Sequence, residues 1–176
     1  MVLELLEFKA KIDKVMKVCF ESNREITDAV HDAFKHFINI RKNRPAELIA
    51  KYVDYLMKSG NKGKSSFFEQ FTKLILVVDD TQLEKKLDDV MALFRFIHGK
   101  DVFEKFYKND LAKRLLHSRS ASDDAEKAML SKLREECGSS FTQKLEGMFK
   151  DIEVSKELMR SYKNKSQQSD KVLFLF

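Results

Sequence analysis

The sequence has few of the residues that interrupt helices. It contains one proline and five glycines in 176 residues, so we expect long helices rather than a β architecture with many turns. Tryptophan is absent, but 15 phenylalanines supply bulky material for a core. Hydrophobic residues make up 43% of the chain, which is enough to bury one domain, or a small domain with extensions. The composition therefore favours an all-α fold.

Cysteine is also scarce, since only Cys19 and Cys137 are present. They are far apart and form neither a C-x-x-C motif nor a Cys/His cluster with metal spacing. Such thiols fit a reducing compartment, and we interpret both as buried packing residues. An alternative is that Cys137 is a nucleophile that carries a transferred group as a thioester. Its expected position, at the end of a helix on the apolar side, would raise the pKa of the thiol rather than activate it.

Motifs that bind phosphates or metals, or that build a nucleophile, are missing from the sequence. There is no Walker loop, G-x-G-x-x-G, G-x-S-x-G or H-E-x-x-H, and the four histidines share no metal spacing. Asp123 and Asp124 follow a serine that can cap a helix, where negative charge is favourable. Asp88 and Asp89 lie beside Lys85 and Lys86, which is typical of an ion-paired surface. We therefore predict no catalytic residue, no cofactor and no metal.

No apolar run reaches 18 residues, and the N-terminus lacks the pattern of a secretory signal, so we predict neither a membrane span nor a membrane partner. The net charge is +5, from 33 basic and 28 acidic residues. Such mixed charge is typical of a helical surface rich in ion pairs, and the excess favours an acidic partner.

The first half of the chain predicts three helices from apolar residues at helical spacing. The first runs from about Leu3 to Phe20, with an apolar side formed by Leu5, Phe8, Ile12, Val15 and Cys19. Asn23 can cap the second. The third has Pro45 at its first position and Gly60 as its end. A linker at 61–66 follows, and the apolar segment at 67–78 fits a helix better than a buried strand.

The second half shows clearer start and stop signals. Thr81 with Glu84, and Asp101 with Glu104, each fit a capping box. The helix between them has an apolar side and ends at Gly99. After a polar loop at 118–122, Ser122 or Ser120 caps a helix that ends at Gly138. Another helix begins at Ser140 or Thr142, a last short turn covers Ser155 to Tyr162, and the remainder is frayed. The apolar side of the helix before Gly99 comprises Leu83, Leu87, Val90, Met91, Phe94 and Ile97.

Four stretches resemble the helical bundle of cullins, the scaffolds of multisubunit ubiquitin ligases. They are FINIRKNRPAELIAKYVD at 37–54, VMALFRFIHGKDVFEKFYKNDLAKRLL at 90–116, SASDDAEKAMLSKLREECG at 120–138 and FTQKLEGMFKDIEVSKEL at 141–158. RPAELIAK and FRFIHGKDVFE are most similar to the type-four subgroup, and residues 1–36 resemble the end of the last cullin repeat. Residues 65–79 depart from the family pattern, and we interpret them as an insertion.

The resemblance implies an all-α organisation in four parts. Residues 1–60 would form the end of the last repeat and a connecting helix, 61–80 a linker or insertion, 81–164 the helical bundle, and 165–176 a disordered or truncated tail. The chain would then be the middle of a cullin, truncated at both ends and lacking the sites for the RING-box protein and the substrate adaptor. The implied function is non-catalytic scaffolding in ubiquitin-dependent protein degradation, in the cytoplasm and nucleus.

A group of cations gives the one candidate binding surface: Lys105, Lys108, Lys113, Arg114 and His117. It fits an ordinary solvated helix side. It also fits a basic surface that attracts an acidic segment of a ubiquitin-conjugating enzyme, as the resemblance implies. A nucleic-acid-binding module is a further alternative, but it needs exposed aromatic side chains, and Phe103, Phe106 and Tyr107 are predicted on the core side.

Overall fold

The computed structural model describes residues 1–58 and 80–173, with side chains described for 1–58 and 82–165, and it contains seven helices in this part of the chain. They are α1 (Val2–Cys19), α2 (Arg24–Asn39), α3 (Arg44–Lys58), α4 (Asp80–Phe94), α5 (Lys100–Leu116), α6 (Asp123–Cys137) and α7 (Ser139–Leu173). No described residue lies in a strand, so the all-α prediction is confirmed. None of the described helices is long and apolar enough to cross a membrane. The predictions for Gly60, the linker and the segment at 67–78 lie outside the described residues, and the Thr81 side chain, on which the predicted cap depends, is not described.

Helix α3 lies at the centre of the fold, and α5 packs most extensively against it. Its inner residues Ile49, Val53 and Met57 are fully buried. Helices α4 and α6, with the first part of α7, complete the bundle around the same hydrophobic core. The apolar side predicted from Leu83 to Ile97 is buried in full, which confirms the spacing argument for α4.

Helix α1 contacts the bundle through a narrower strip than its sequence predicts. Val2 and Met16 are buried, whereas Phe8, Val15 and Cys19 are exposed. The reason is that α1 makes few contacts with α3 and α4, so one side of the helix meets solvent. The interpretation of Cys19 as a buried packing residue is therefore wrong.

Two helix starts test the capping predictions. The side-chain oxygen of Asn23 accepts hydrogen bonds from the N–H groups of Glu25 (3.1 Å) and Ile26 (3.4 Å), so the cap of α2 is confirmed. The box at Asp101 is wrong, because α5 begins at Lys100 with Gly99 as its N-cap. The Phe103 N–H donates to the Gly99 carbonyl at 3.0 Å, which places Asp101 inside the first turn.

The last two helices meet at Gly138. The Ser122 hydroxyl caps α6 by accepting from the N–H groups of Asp124 (3.2 Å) and Ala125 (3.4 Å), as one predicted alternative had it. Gly138 ends α6 with a φ of 85°, a conformation that favours glycine. Helix α7 then continues to Leu173, so the separate turn at Ser155 is wrong. Good helix formers and the absence of proline beyond Gly138 explain this continuity. The division of the chain into four parts, with a disordered or truncated tail at 165–176, stays a prediction.

The Asn39 side chain joins the α1–α2 pair to the bundle. Its amide nitrogen donates to the Phe96 carbonyl at 2.7 Å, and its oxygen accepts from the His98 N–H at 2.9 Å. The Phe96 ring meets Phe34 edge-on, with ring centres 5.0 Å apart. The end of α2 is thereby attached to the connection between α4 and α5.

Replacing Asn39 should weaken this attachment. We expect Asn39→Ala to lower the free energy of unfolding by about 1–3 kcal/mol, because two backbone groups lose their hydrogen-bond partner. Urea denaturation followed by circular dichroism measures this change. The control is Asn109→Ala at an exposed position of α5, which should change stability by less than about 0.5 kcal/mol. Equal effects of the two variants would contradict the role given to Asn39.

Candidate partner-binding surface and buried ion cluster

The solvent side of α5 carries most of the predicted cations. Lys105, Lys113 and His117 are exposed, and Lys108 is half-buried. With 100° per residue, the three lysines fall within about 140° of the helix circumference, and Lys105 and Lys113 lie about 12 Å apart along the axis. These four residues form the basic surface, whose role in binding a partner stays a prediction.

Arg114 does not belong to the basic surface, which corrects the prediction from sequence. Its side chain is 0% exposed and lies on the core side of α5 with Tyr107 and Leu111. The physical reason is helical phase, because Arg114 follows Leu111 by three residues and Tyr107 by two turns. Two carboxylates make this burial possible by neutralising the guanidinium.

The buried ion cluster consists of Asp54, Tyr107, Arg114, Ser120 and Glu126. Arg114 Nε and Nη2 donate to the two Glu126 oxygens at 2.6 and 3.0 Å, and Nη1 donates to Asp54 at 2.6 Å. The Ser120 hydroxyl donates to Glu126, and so does the Tyr107 hydroxyl, at 3.5 Å. Among the described side chains, every buried nitrogen and oxygen has a hydrogen-bond partner. The cluster therefore satisfies the requirement for placing charges in a core.

Protonation states in the cluster are fixed by its geometry. Desolvation opposes the charge on Arg114, but the hydrogen bonds and charge of Glu126, aided by Asp54, raise the pKa of the guanidinium overall. Burial, followed by the nearby charge of Glu126, raises the pKa of Tyr107 far above its usual value. Arg114 thus stays charged and Tyr107 stays neutral, as a permanent structural bridge requires.

The cluster fixes the end of α5 and the loop that follows it. Asp54 belongs to α3, Arg114 to α5 and Glu126 to α6, so one guanidinium joins three helices. The loop is also held by its backbone, because the Ala121 N–H donates to the Met57 carbonyl at 2.7 Å. Lys113 and His117 therefore project from an anchored part of the fold.

Acidic and aromatic neighbours define what the basic surface can attract. Lys113 has an ion-pair partner in Asp110 at 3.8 Å, whereas Lys105 and Lys108 have none among the described residues. Phe103 and Tyr107 are buried, and Phe106 is half-buried with Lys51 Nζ 5.8 Å from its ring centre. Bases would find no open aromatic face here, so the surface suits an acidic protein segment better than nucleic acid.

The remaining candidates for chemistry have structural explanations. Cys137 is half-buried, and burial raises the pKa of its thiol, with a smaller opposing influence from Lys100. Asp88 pairs with Lys132 of α6 at 2.5 Å rather than with its neighbours Lys85 and Lys86. Within 1–58 and 82–165, no group of His, Cys, Asp and Glu could hold a metal ion.

Comparison with known proteins identifies the family of this helical body. The family model described as the cullin alpha solenoid domain matches residues 1–159. The chain belongs to the cullin family. This membership confirms the family predicted from the four stretches, and cullins as a family are scaffold proteins rather than enzymes.

Among curated cullins, the type-four members are highly similar to this one. It is 54% identical to human Cullin-4A over 97% of this chain, and 44% identical to Cullin-4 of Dictyostelium discoideum over 93%. Cullin-3A of Arabidopsis thaliana is 40% identical over 92%. The alignments cover 21%, 19% and 20% of these relatives, so the chain spans about a fifth of their length.

Breaking the ion cluster should destabilise this cullin chain strongly. We expect Arg114→Met to lower the free energy of unfolding by about 3–5 kcal/mol, because Glu126 and Asp54 keep their charge without a partner. Urea denaturation measures the loss. The neighbouring exposed Lys113→Met is the matched control and should change stability by less than about 0.5 kcal/mol.

A second variant separates lost charge pairing from lost packing. Adding Glu126→Leu to Arg114→Met should recover part of the stability, because the buried carboxylate is then absent. If the double variant is no more stable than Arg114→Met, or if Lys113→Met is equally damaging, the role given to the cluster is wrong.

The two thiols should differ in reactivity. We expect iodoacetamide at neutral pH to alkylate the exposed Cys19 roughly tenfold faster than Cys137, because burial suppresses the Cys137 thiolate. Mass spectrometry of timed samples measures both rates, and urea should equalise them. Faster reaction at Cys137 in the folded protein would favour the thioester alternative instead.

Proposed function

We propose that the chain is a scaffold portion of a cullin-RING ubiquitin ligase acting in ubiquitin-dependent protein degradation. The observation that carries this proposal is the match of the cullin domain to residues 1–159, together with a helical body closed around one core. In the whole protein, the partners would be a RING-box protein, a substrate adaptor and a ubiquitin-conjugating enzyme. The proposed location is the cytoplasm and nucleus.

The proposed mechanism is positioning, with no bond made or broken by the chain itself. A scaffold helps a transfer reaction by holding the reactants at a fixed separation and orientation. The described helices suit this task because the ion cluster joins α3, α5 and α6, and Asn39 attaches α2 to the same body. Helix α7 has 35 residues and so extends about 50 Å.

Within this role, we propose that the basic surface attracts an acidic segment of the conjugating enzyme. Lys105 and Lys113 are exposed, and His117 follows Lys113 by four residues at the anchored end of α5, so the positive charge of the lysines is presented in a fixed arrangement. Such a surface mainly raises the rate of encounter, and its effect falls as salt screens the charges. The alternative is a basic helical module for nucleic acid, which would require retention on DNA with a steep dependence on salt.

Reversing the charge of this surface should weaken the encounter. We expect the triple variant Lys105→Glu, Lys108→Glu and Lys113→Glu to bind a conjugating enzyme with an acidic tail about 10-fold more weakly at low salt, mainly through a slower on-rate. Surface plasmon resonance at several salt concentrations measures both rates. Arg114 is left unchanged, because its replacement would disturb the core.

The matched control carries the same charge change elsewhere. Lys11, Lys14 and Lys17 are exposed on α1, and their replacement by Glu should leave binding within about twofold of the original value. Equal losses in both triple variants would mean that net charge, not this surface, attracts the enzyme. An affinity for the enzyme that is unchanged in both triple variants and at every salt concentration would contradict the proposal. Tight retention on DNA would favour the alternative module.

A further inference from the structure

Helix α7 leaves the bundle after Ile152 and presents apolar residues to solvent. Every residue from Glu153 to Lys165 is exposed. Leu158 is 65% exposed and Tyr162 is 69% exposed, and Val154 and Met159 are exposed as well. Four large apolar side chains on one short stretch of a free helix indicate a surface that another molecule covers.

Five residues form a straight stripe on this part of the helix. With 100° per residue, Asp151, Val154, Leu158, Tyr162 and Lys165 fall within about 80° of the circumference. We call them the α7 stripe. Their spacings are 3, 4, 4 and 3 residues, so the stripe is symmetric about Leu158, with an acid at one end and a base at the other.

We propose that the α7 stripe pairs antiparallel with the α7 stripe of a second copy of this chain. A two-fold axis at Leu158 brings Leu158 against Leu158 of the other copy and Val154 against Tyr162. The same axis places each Asp151 opposite a Lys165. A two-fold interface requires a patch that is complementary to itself, and the stripe meets this requirement in shape, polarity and charge.

Charge selects this arrangement over the parallel one. A parallel pair would place Asp151 against Asp151 and Lys165 against Lys165, which is unfavourable at both ends. Neither residue has an ion-pair partner among the described side chains, so both are available to a second copy. The pairing is independent of the proposed scaffold role, and either one can fail without the other.

The expected association is weak and depends on concentration. A contact along five helical turns or fewer buries less than the roughly 1,200 Å² of total surface typical of stable complexes. We therefore expect a dissociation constant of about 10–100 μM for the dimer. Sedimentation velocity of the full chain over a concentration series around this range measures it directly.

Charge-reversed variants test the antiparallel geometry. Asp151→Lys and Lys165→Asp should each weaken dimerisation about 10-fold or more, because like charges then meet at both ends. An equimolar mixture of the two variants should dimerise again, since every facing pair is then opposite in charge. The variant that exchanges both charges should dimerise like the original chain. In a parallel pair, like charges already meet at both ends, so that geometry predicts little effect of either single reversal.

Charge changes on the opposite side of α7 serve as controls for the stripe. Glu153→Lys and Lys163→Asp make the same charge changes on the opposite side of the helix and should leave dimerisation unchanged. Leu158→Asp should abolish it, with circular dichroism confirming that each variant keeps its helix. A chain that stays monomeric throughout would overturn the self-pairing and assign this side of α7 to a different partner. A dimer whose dissociation constant is unchanged by Leu158→Asp or by the charge reversals would overturn the self-pairing as well.

Discussion

The bidentate contact between the Arg114 guanidinium and the Glu126 carboxylate constrains the whole bundle. Both side chains are fully buried, so neither charge can be satisfied by water if the other moves away. Asp54 accepts a third hydrogen bond from the same guanidinium, which brings α3 into the arrangement. Apolar packing among α3, α5 and α6 tolerates small slides, but a planar guanidinium with two facing carboxylates does not. The cluster therefore specifies one relative position of three helices.

This constraint also determines what the outside of α5 presents. Because Arg114 points inward, Lys105 lies about 180° away on the solvent side of α5, and Lys113 lies about 100° away and is also exposed. Glu126 holds Ser120, and Met57 holds Ala121, so the loop after α5 follows a defined path. The basic surface is thus a consequence of the buried cluster, and its charges are held in place by the core rather than by contacts among themselves.

Sequence patterns predicted the helices well because the determinants are local. Apolar spacing located the buried side of α4, and the side-chain oxygens of Asn23 and Ser122 marked helix starts that the structure confirms. The family was also predictable, since its motifs are long and ordered. The start of α5 was not, because Asp101 and Glu104 have the spacing of a capping box, whereas the helix begins at Lys100 with Gly99 as its N-cap.

Arg114 shows that cations close together in sequence need not share one surface. Arg114 was grouped with its basic neighbours, although its helical phase matches Tyr107 and Leu111. The sequence alone shows that Arg114 lies on the same side of the helix as these two residues. A buried arginine, however, is expected only where acidic partners neutralise it. One of these partners, Asp54, lies 60 residues away along the chain, so the sequence does not reveal it. The exposed side of α1 was missed for a related reason, since apolar spacing reports which side of a helix can be buried and not whether a neighbour covers it.

The buried interactions that stabilise the fold and the exposed apolar side chains lie in different parts of the chain. The middle of the fold, from α3 to α6, holds most of the fully buried residues and the ion cluster, whereas Phe8 and Val18 in α1 and Leu158 and Tyr162 in α7 remain exposed. None of these outer side chains takes part in the buried ion cluster. A scaffold built in this way can change what it contacts at α1 or α7 without losing the geometry of its centre, because the interactions that fix that geometry do not extend to those helices' exposed sides.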